Sequence, residues 1–167
     1  PKDTMSTIED AKRAQDLGAI ALQIDLPFLH HSNQDDHVRH FTAISDAIDI
    51  GIMIYNTYWF GCQPIEPETM HRLQDAEHVA AVKWNYPDED GYDKMREFSH
   101  IFNVIDNSGQ AVRCHKNGGR GTVSAFAPAY AADELKVWDL VESGRYEQAQ
   151  ELEDRISSTL GPVEAMI

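Results

Sequence analysis

The stretch VAAVKWNYP, residues 79–87, decides how the rest of the chain is interpreted. Small and β-branched apolar residues lead into Lys83, and Pro87 ends the run. A short apolar run bounded by turn signals is typical of a strand buried on both faces. An amine at the end of such a strand leaves water for a partly apolar site, which favours the neutral nucleophile that Schiff-base chemistry requires. A lysine there can also simply extend to solvent, so this stretch alone leaves both alternatives open.

Length, composition and charge indicate one ordinary globular domain. The chain has 167 residues, of which 42% are hydrophobic and 25% charged. Its formal net charge of −14 argues against nucleic acid and anionic membrane surfaces as partners. No transmembrane-length run and no signal peptide are recognised, and Cys62 and Cys114 lie in unrelated contexts. We therefore expect a cytoplasmic protein with reduced thiols.

Strands and helices alternate along the sequence. Five strands are predicted, at residues 19–24, 51–55, 79–84, 102–106 and 121–125. Helices are predicted at 6–17, from 35 onward, and at 67–75, 92–100, 110–117, 132–142 and 146–160. This alternation predicts an α/β fold with a parallel sheet, either an open doubly wound sheet or part of a (β/α)₈ barrel.

In both architectures ligands bind at the carboxyl ends of the strands. The residues placed there are Asp25, Tyr55, Lys83, Asp106 and Ser124. Neighbouring strands lie about 4.8 Å apart, so Tyr55 and Lys83 can meet around one small substrate. A phenol beside an amine places a proton-transfer group beside a nucleophile, although Tyr55 could equally serve packing alone.

Other segments at this edge have a functional and a structural interpretation. The turn at 118–121 has backbone N–H groups that could hold a carboxylate, or it could permit unusual backbone angles. Asp106 could contact substrate hydroxyls, or it could belong to an ordinary turn. Several aromatic residues suggest an aromatic-walled site that includes Trp59, and the remaining members are Tyr58, Phe60, Trp84 and Tyr86.

No metal site is predicted from the histidines. His37 and His40 are spaced for one helix face, and His30 and His31 lie just upstream. No carboxylate or cysteine completes a known ligand spacing. We expect surface and loop histidines, and no metal or cofactor.

The sequence resembles the dihydrodipicolinate synthase/N-acetylneuraminate lyase family of Schiff-base aldolases. The resemblance rests on Ile-Tyr-Asn at 54–56 with a following glycine, on Ala-Val-Lys at 81–83, and on GGRGTVS at 118–124. The segment 140–149 is similar to the family's helix after the last strand, and Pro27 lies where the family has a proline-aromatic loop.

The resemblance implies a TIM-type (β/α)₈ barrel, of which this chain supplies strands 4–8 and C-terminal helices. Residues 1–131 would form five βα units, and residues 132–167 a helical segment packed on the barrel. Lys83 would form an imine with pyruvate or another 2-oxo acid, and Tyr55 would move the proton. By the same resemblance the glycine turn and its strand line the site; the residues we assign to substrate binding are Gly119, Gly121, Thr122, Val123, Asp106 and Trp59.

Departures from the family pattern refine these expectations. The three βα units that begin the family's barrel, with a carboxylate-binding segment, lie outside this sequence, so we expect a portion of a longer protein. The loop after Tyr55 has Tyr-Trp-Phe at 58–60 in place of a substrate-binding arginine, Leu29 stands where a tyrosine is common, and Trp84 and Asn85 follow the lysine. These differences favour a bulkier or less charged second substrate.

The predicted function is a Schiff-base-forming aldolase or lyase that uses a 2-oxo acid and an aldehyde, in a homo-oligomer (dimer or tetramer). One alternative is a 2-keto-3-deoxy sugar acid dehydratase that uses the same imine. A second alternative, from a different class, is a ligand-binding barrel protein without turnover.

Overall fold

The structure is a computed structural model that describes residues 3–29, 31–125 and 127–164, with backbone only for 160–164. Five parallel strands pair in chain order into one sheet. They are β1 (Ala21–Asp25), β2 (Gly51–Tyr55), β3 (Val79–Trp84), β4 (Asn103–Asp106) and β5 (Gly121–Thr122). The parallel α/β fold predicted from the alternation of elements is confirmed.

Helices connect the strands and continue after the last one. They are α1 (Thr4–Asp16), α2 (Gln34–Ser45), α3 (Pro67–Arg72), α4 (Glu89–Asp93), α5 (Ala111–Lys116), α6 (Ala127–Glu142) and α7 (Tyr146–Glu164). Short 3₁₀ turns follow β2 at 58–60 and α4 at 94–97.

Some predicted boundaries were wrong. The helix predicted over 92–100 is instead α4 followed by a 3₁₀ turn, because Asp88 caps the backbone N–H of Gly91 and starts the helix earlier. The first helix begins at Thr4, capped by Asp3, whose carboxylate accepts from the Ser6 N–H at 2.9 Å. β5 ends at Thr122, and α6 begins at Ala127 with a kink at Tyr130.

The two faces of the sheet have different surroundings, because successive side chains of a strand alternate between them. One face, here called the covered face, packs with helical residues such as Phe41, Met70 and Phe98 in a single core. Its strand residues are buried: Ile24, Ile52, Ile54, Val82, Trp84 and Val104. The opposite face, here called the open face, carries residues that are exposed or half-exposed: Ala21, Gln23, Met53, Tyr55, Ala81, Asn103 and Ile105.

One irregularity in the sheet sets which face Lys83 occupies. Ile52 pairs with Val79, but Met53 pairs with Ala81, so Ala80 is an extra residue in β3. Such a bulge changes the alternation of side chains on the bulged strand. Val79 and Val82 therefore both lie on the covered face, and Lys83 is level with Tyr55 on the open face.

The C-terminal helices form a second apolar cluster with α5. Its buried members are Ala111, Val112, Val137, Leu140, Val141, Ala149 and Leu152. The cluster attaches α6 and α7 to α5, while the proposed boundary between residues 131 and 132 stays a prediction. In the described part of the chain, no helix combines the length and apolarity needed to cross a membrane.

Candidate active site

Lys83 and Tyr55 meet at the carboxyl edge of the open face. They are register partners in neighbouring strands. The Lys83 Nζ atom lies 4.0 Å from the centroid of the Tyr55 ring, within the range of a cation–π contact. The two residues that the sequence predicted to act together are thus in direct contact.

The environment of the Lys83 amine is sparse. The residue is only 9% exposed, yet no hydrogen bond or ion pair joins its amine to any other described residue. The Tyr55 hydroxyl likewise has no hydrogen-bond partner within the described ranges. An amine without a carboxylate partner is available to attack a carbonyl carbon, and a phenol without a fixed partner can exchange a proton with a bound substrate.

Buried polar residues fix the loop that follows Tyr55. The Asn56 amide donates to the Asn85 carbonyl at 2.7 Å and accepts from the Ile65 N–H at 3.0 Å. The Thr57 hydroxyl accepts from the Leu26 N–H at 3.2 Å. Both Asn56 and Thr57 are fully buried. These bonds tie the loop to the segments after β1 and β3, so the aromatic residues that follow have defined positions.

A group of aromatic rings extends from the Tyr55 side of the site. The Tyr55 and Trp59 rings pack edge to face at 5.5 Å, and Trp59 contacts Tyr58 at 5.2 Å and Phe60 at 5.9 Å. Phe28, from the loop after β1, packs on Phe60 at 4.9 Å. We call Phe28, Tyr58, Trp59 and Phe60 the aromatic wall.

The aromatic wall is partly exposed to solvent and partly packed against other residues. Trp59 is 44% exposed and Phe60 51% exposed. The Tyr58 hydroxyl donates to Asn85 Oδ1 at 3.2 Å, and burial together with nearby Asp88 raises the pKa of Tyr58. The predicted binding residue Trp59 therefore lies beside the Lys83–Tyr55 pair, whereas Trp84 is fully buried on the covered face and belongs to the core.

Asp106 is placed differently from Lys83, although its strand is the next one in the sheet. It is completely buried and pairs in register with Trp84, which lies on the covered face. Its carboxylate accepts from the Tyr92 hydroxyl at 2.7 Å and from the Ser108 hydroxyl at 2.6 Å. Further donors are the N–H groups of Ser108 and Gln110 and the hydroxyl of Thr122. These bonds give Asp106 and Thr122 a structural role, and their contact with substrate stays a prediction.

The glycine turn before β5 has a packing explanation. A Cβ atom on Gly119 would overlap the Cys114 sulfur, and one on Gly118 would overlap the Ser99 hydroxyl. A Cβ atom on Gly121 would come within 3.0 Å of Ile105 Cδ1 on the open face. Val123, which ends this strand region, is 40% exposed at the carboxyl edge. Binding of a ligand by Gly119 or Gly121 stays a prediction. Close packing accounts for Gly118 and Gly119, whereas at Gly121 the neighbour is the movable end of the Ile105 side chain.

His37 and His40 are buried in α2, so the prediction of surface and loop histidines was wrong for these two, and both have structural partners. The His40 Nδ1 atom is 2.9 Å from the Thr4 hydroxyl, and the His37 Nε2 atom is 3.0 Å from the Gln63 carbonyl. Burial lowers the pKa of His40 to about 4. His31 bonds the Gly61 carbonyl at 2.8 Å, and His30 lies outside the described residues. Across the described ranges, no three histidine, cysteine or acidic side chains gather as metal ligands would.

Sequence reasoning missed the residues that hold the site together. Asn56 was named only as part of the family pattern and Asn85 only as a departure from it, while Thr57 fell between predicted elements and Tyr92 within a predicted helix. The one signal available was polar residues directly after strand ends, where backbone groups leaving a sheet need partners. Such residues are common in loops, so the sequence could not single these out.

The fold and the paired side chains define a class of protein. A parallel sheet in chain order, covered by helices on one face and with a lysine at its carboxyl edge, is the five-stranded portion of a TIM-type barrel. The chain belongs to the Dihydrodipicolinate synthetase family, whose family model matches residues 2–160.

Three relatives illustrate the match. A 4-hydroxy-tetrahydrodipicolinate synthase from Staphylococcus haemolyticus (strain JCSC1435) is 27% identical over 172 residues, which cover 96% of this chain and 58% of the relative. The dihydrodipicolinate synthase structure from Thermotoga maritima has a TM-score of 0.85 and 25% identity, with 96% of this chain and 55% of that chain covered. A dihydrodipicolinate synthase from Acinetobacter baumannii complexed with pyruvate has a TM-score of 0.84 and 20% identity, covering 94% and 55%. The chain thus spans a little over half the length of these proteins.

Proposed function

We propose that this chain carries the Schiff-base centre of a lyase that acts on pyruvate or another 2-oxo acid, with Lys83 as nucleophile and Tyr55 as proton-transfer group. The observation that carries the proposal is the contact between the Lys83 amine and the Tyr55 ring, on the open face and with no ion-pair partner among the described residues. Membership of the Dihydrodipicolinate synthetase family and the pyruvate bound by the A. baumannii relative support the same chemistry.

The proposed reaction begins at the carbonyl carbon of the 2-oxo acid. The Lys83 nitrogen attacks C2, and loss of the carbonyl oxygen as water, with one proton supplied by Tyr55, gives a protonated imine. The imine withdraws electrons, so a proton leaves C3 and an enamine forms. The enamine carbon then attacks the carbonyl carbon of an aldehyde, and hydrolysis of the imine releases the product and restores Lys83.

The proposed role of Tyr55 is to transfer protons in the steps of this reaction. Its ring contacts the amine, with Nζ 4.0 Å from the ring centroid, which supports a role for its hydroxyl at a group bonded to Nζ. The phenol can donate a proton to the departing oxygen and later to the aldehyde oxygen, and recover it between the two steps. Buried Asn56 and Thr57 hold the following residues of the loop, which limits the movement of Tyr55.

The test is borohydride reduction of the full-length gene product in the presence of pyruvate. Peptide mass analysis is expected to locate one pyruvate-derived adduct on Lys83, and Lys83→Ala is expected to reduce the adduct to background. Lys116→Ala is the matched control, because Lys116 is an exposed lysine whose amine also lies 5.0 Å from a tyrosine ring, that of Tyr146. An adduct on Lys116, or none, would contradict the proposal.

We also propose that the full-length gene product has a complete active site and forms a homo-oligomer, either a dimer or a tetramer. In a (β/α)₈ barrel the edges of β1 and β5 and the open face are closed by strands of the same chain, so the oligomer expectation rests on the family resemblance alone. Light scattering of the full-length gene product measures its mass, and a monomer would contradict the oligomer expectation without affecting the role of Lys83.

A further inference from the structure

We infer that the aromatic wall is the subsite for the second substrate and that this substrate is an aldehyde with an aromatic or similarly flat apolar group. The inference rests on the proposed function, because the Lys83 imine defines where the second substrate reacts. It goes further by naming the chemical class of that substrate and the residue that selects it, Trp59.

Trp59 lies next to the residue that contacts the nucleophilic amine. Trp59 packs on the ring of Tyr55, and Tyr55 in turn contacts the Lys83 amine. A molecule that reacts with a group attached to Nζ therefore extends past Tyr55 onto Trp59. The edge-to-face arrangement of these rings leaves Trp59 surface available, since the residue is 44% exposed. Aromatic rings favour offset or edge contacts with other rings, which adds to the gain from burying apolar area.

Several apolar side chains are exposed at the carboxyl edge of the sheet. Leu29, in the loop after β1, is 46% exposed and Val123, after β5, is 40% exposed, in addition to the wall residues Trp59 and Phe60 after β2. They come from the segments after β1, β2 and β5, so three separate connections present apolar side chains at the same edge of the sheet. Concentrations of exposed apolar surface rimmed by polar groups mark binding sites.

The charged residues at the carboxyl edge of the sheet bear on which aldehyde can bind there. The segments that follow the five strands, residues 26–33, 56–66, 85–88, 107–110 and 123–125, contain no lysine or arginine. They do contain Glu66 and Asp88, and β1 ends at the exposed Asp25. An aldehyde that carries a second carboxylate would find no lysine or arginine in these segments, and Lys94, which lies 3.8 Å from Glu66, is already paired with that acid. A neutral, apolar aldehyde needs no such partner.

Backbone hydrogen bonds hold the aromatic wall in a fixed conformation. Phe60 N–H donates to the Thr57 carbonyl at 3.1 Å, and Gly61, with φ of 93°, closes the turn by donating to the Tyr58 carbonyl at 3.0 Å. The wall is thus a fixed surface built on the buried Asn56 and Thr57. A fixed flat surface loses little conformational entropy when a flat ligand binds.

The experiment compares two aldehydes in condensation with pyruvate, using the full-length gene product. Benzaldehyde supplies the ring, and succinic semialdehyde supplies a carboxylate. The native protein is expected to favour benzaldehyde by at least about 10-fold in kcat/KM. Trp59→Ala is expected to lower kcat/KM for benzaldehyde by about 10- to 100-fold, and for acetaldehyde by less than about 3-fold. Phe60→Arg is expected to lower the preference for benzaldehyde over the semialdehyde.

The control is Leu135→Ala, which removes a similarly exposed apolar side chain, 66% exposed, on α6 and should leave every rate unchanged. Equal use of both aldehydes by the native protein, or an equal loss for benzaldehyde and acetaldehyde in Trp59→Ala, would overturn the inference. So would a fall in oligomer mass in Trp59→Ala accompanied by loss of both activities, because the wall would then be covered by a second copy.

Two readouts separate this inference from the proposed function. Borohydride trapping with pyruvate alone should be unchanged in Trp59→Ala, since the imine forms without the aldehyde. If the native protein traps no pyruvate, the proposed function fails, and the subsite is judged by binding of benzyl alcohol, which has the ring but cannot form an imine. Binding that depends on Trp59 supports an aromatic subsite, and binding that is absent or independent of Trp59 overturns it.

Discussion

Two tyrosines stand beside charged residues at the ends of adjacent strands, and their surroundings are opposite. Tyr55 contacts Lys83 on the open face, and neither polar group has a hydrogen-bond partner within the described residues. Tyr92 donates to Asp106 at 2.7 Å under the covered face, and that carboxylate accepts several further hydrogen bonds. Burial and the nearby Asp106 charge raise the pKa of Tyr92, which keeps it a donor.

The difference shows how the same residue types acquire different roles in one sheet. Lys83 and Asp106 lie at the same edge, but Asp106 pairs with Trp84, one residue after Lys83, and so faces the other way. A charge on the covered face must be fully hydrogen-bonded to be tolerated. On the open face the Lys83 amine has no hydrogen-bond or ion-pair partner among the described residues and is available for chemistry. The same Tyr→Phe substitution, made in each pair, tests this distinction.

The largest effect is expected from Tyr55→Phe. The ring and its contacts with Lys83 and Trp59 are kept, and only the hydroxyl is lost. Turnover in the full-length gene product should fall by about 10²–10⁴-fold, while borohydride trapping at Lys83 and the free energy of unfolding stay close to native. Steady-state kinetics and denaturant unfolding measure the two quantities. Unchanged turnover would make Tyr55 a packing residue.

Tyr92→Phe should show the reverse pattern. It removes one of the hydrogen bonds to the buried Asp106 carboxylate, so the free energy of unfolding should fall by about 1.5–3 kcal/mol. Lys83 and Tyr55 do not touch Tyr92, and turnover at a temperature below the unfolding transition should stay within about 2-fold of native. A strong loss of turnover in a folded Tyr92→Phe protein would mean that the Asp106 network takes part in catalysis.

The smallest effect on the free energy of unfolding is expected at Glu153 on α7. This residue lies close enough to Asp106 for the Asp106 charge to influence its pKa. Burial, first, and Asp106, to a lesser extent, raise the pKa of Glu153 to about 7 from an ordinary value of 4.5. A raised carboxyl pKa means that the folded state holds the proton more strongly than the unfolded state does. The stability it contributes is therefore complete below about pH 4.5 and is lost as the pH rises through about 7.

Glu153→Gln removes this pH dependence and keeps an oxygen that can accept from the N–H groups of Ala111 and Val112. Because Glu153 is partly exposed, the gain in unfolding free energy above pH 7 should be about 1–2 kcal/mol, and close to zero near pH 5. Unfolding curves at several pH values measure it, with the exposed Glu151→Gln on the same helix as control. An equal gain at pH 5 and pH 8 would show that the carboxyl group does not titrate as described.

The sequence was sufficient for the order of elements and for the Tyr55–Lys83 pair. Apolar runs that end in polar residues mark the strand ends, and parallel strands bring those ends to one edge. Asp106 was grouped with them because it also ends a strand. The alternation of faces along β3 and β4 depends on register, and register depends on contacts between distant residues that a single sequence does not contain.

The glycine turn shows a second limit. Consecutive glycines are compatible both with ligand binding and with close packing, and the sequence gives no means to choose. The structure shows Cys114 and Ser99 lying where the Cβ atoms of Gly119 and Gly118 would be. These neighbours come from residues distant in the chain or across a turn, so local sequence could not reveal them.

The extra residue at Ala80 has a consequence for how well this chemistry can survive changes of length during descent. Deleting that one codon would remove the bulge and restore regular pairing, with Ala81 still opposite Met53 and Lys83 still opposite Tyr55. No later side chain of β3 would exchange faces, so the amine would stay on the open face. A gene that has lost this codon would therefore still encode a strand that presents the nucleophile to a substrate.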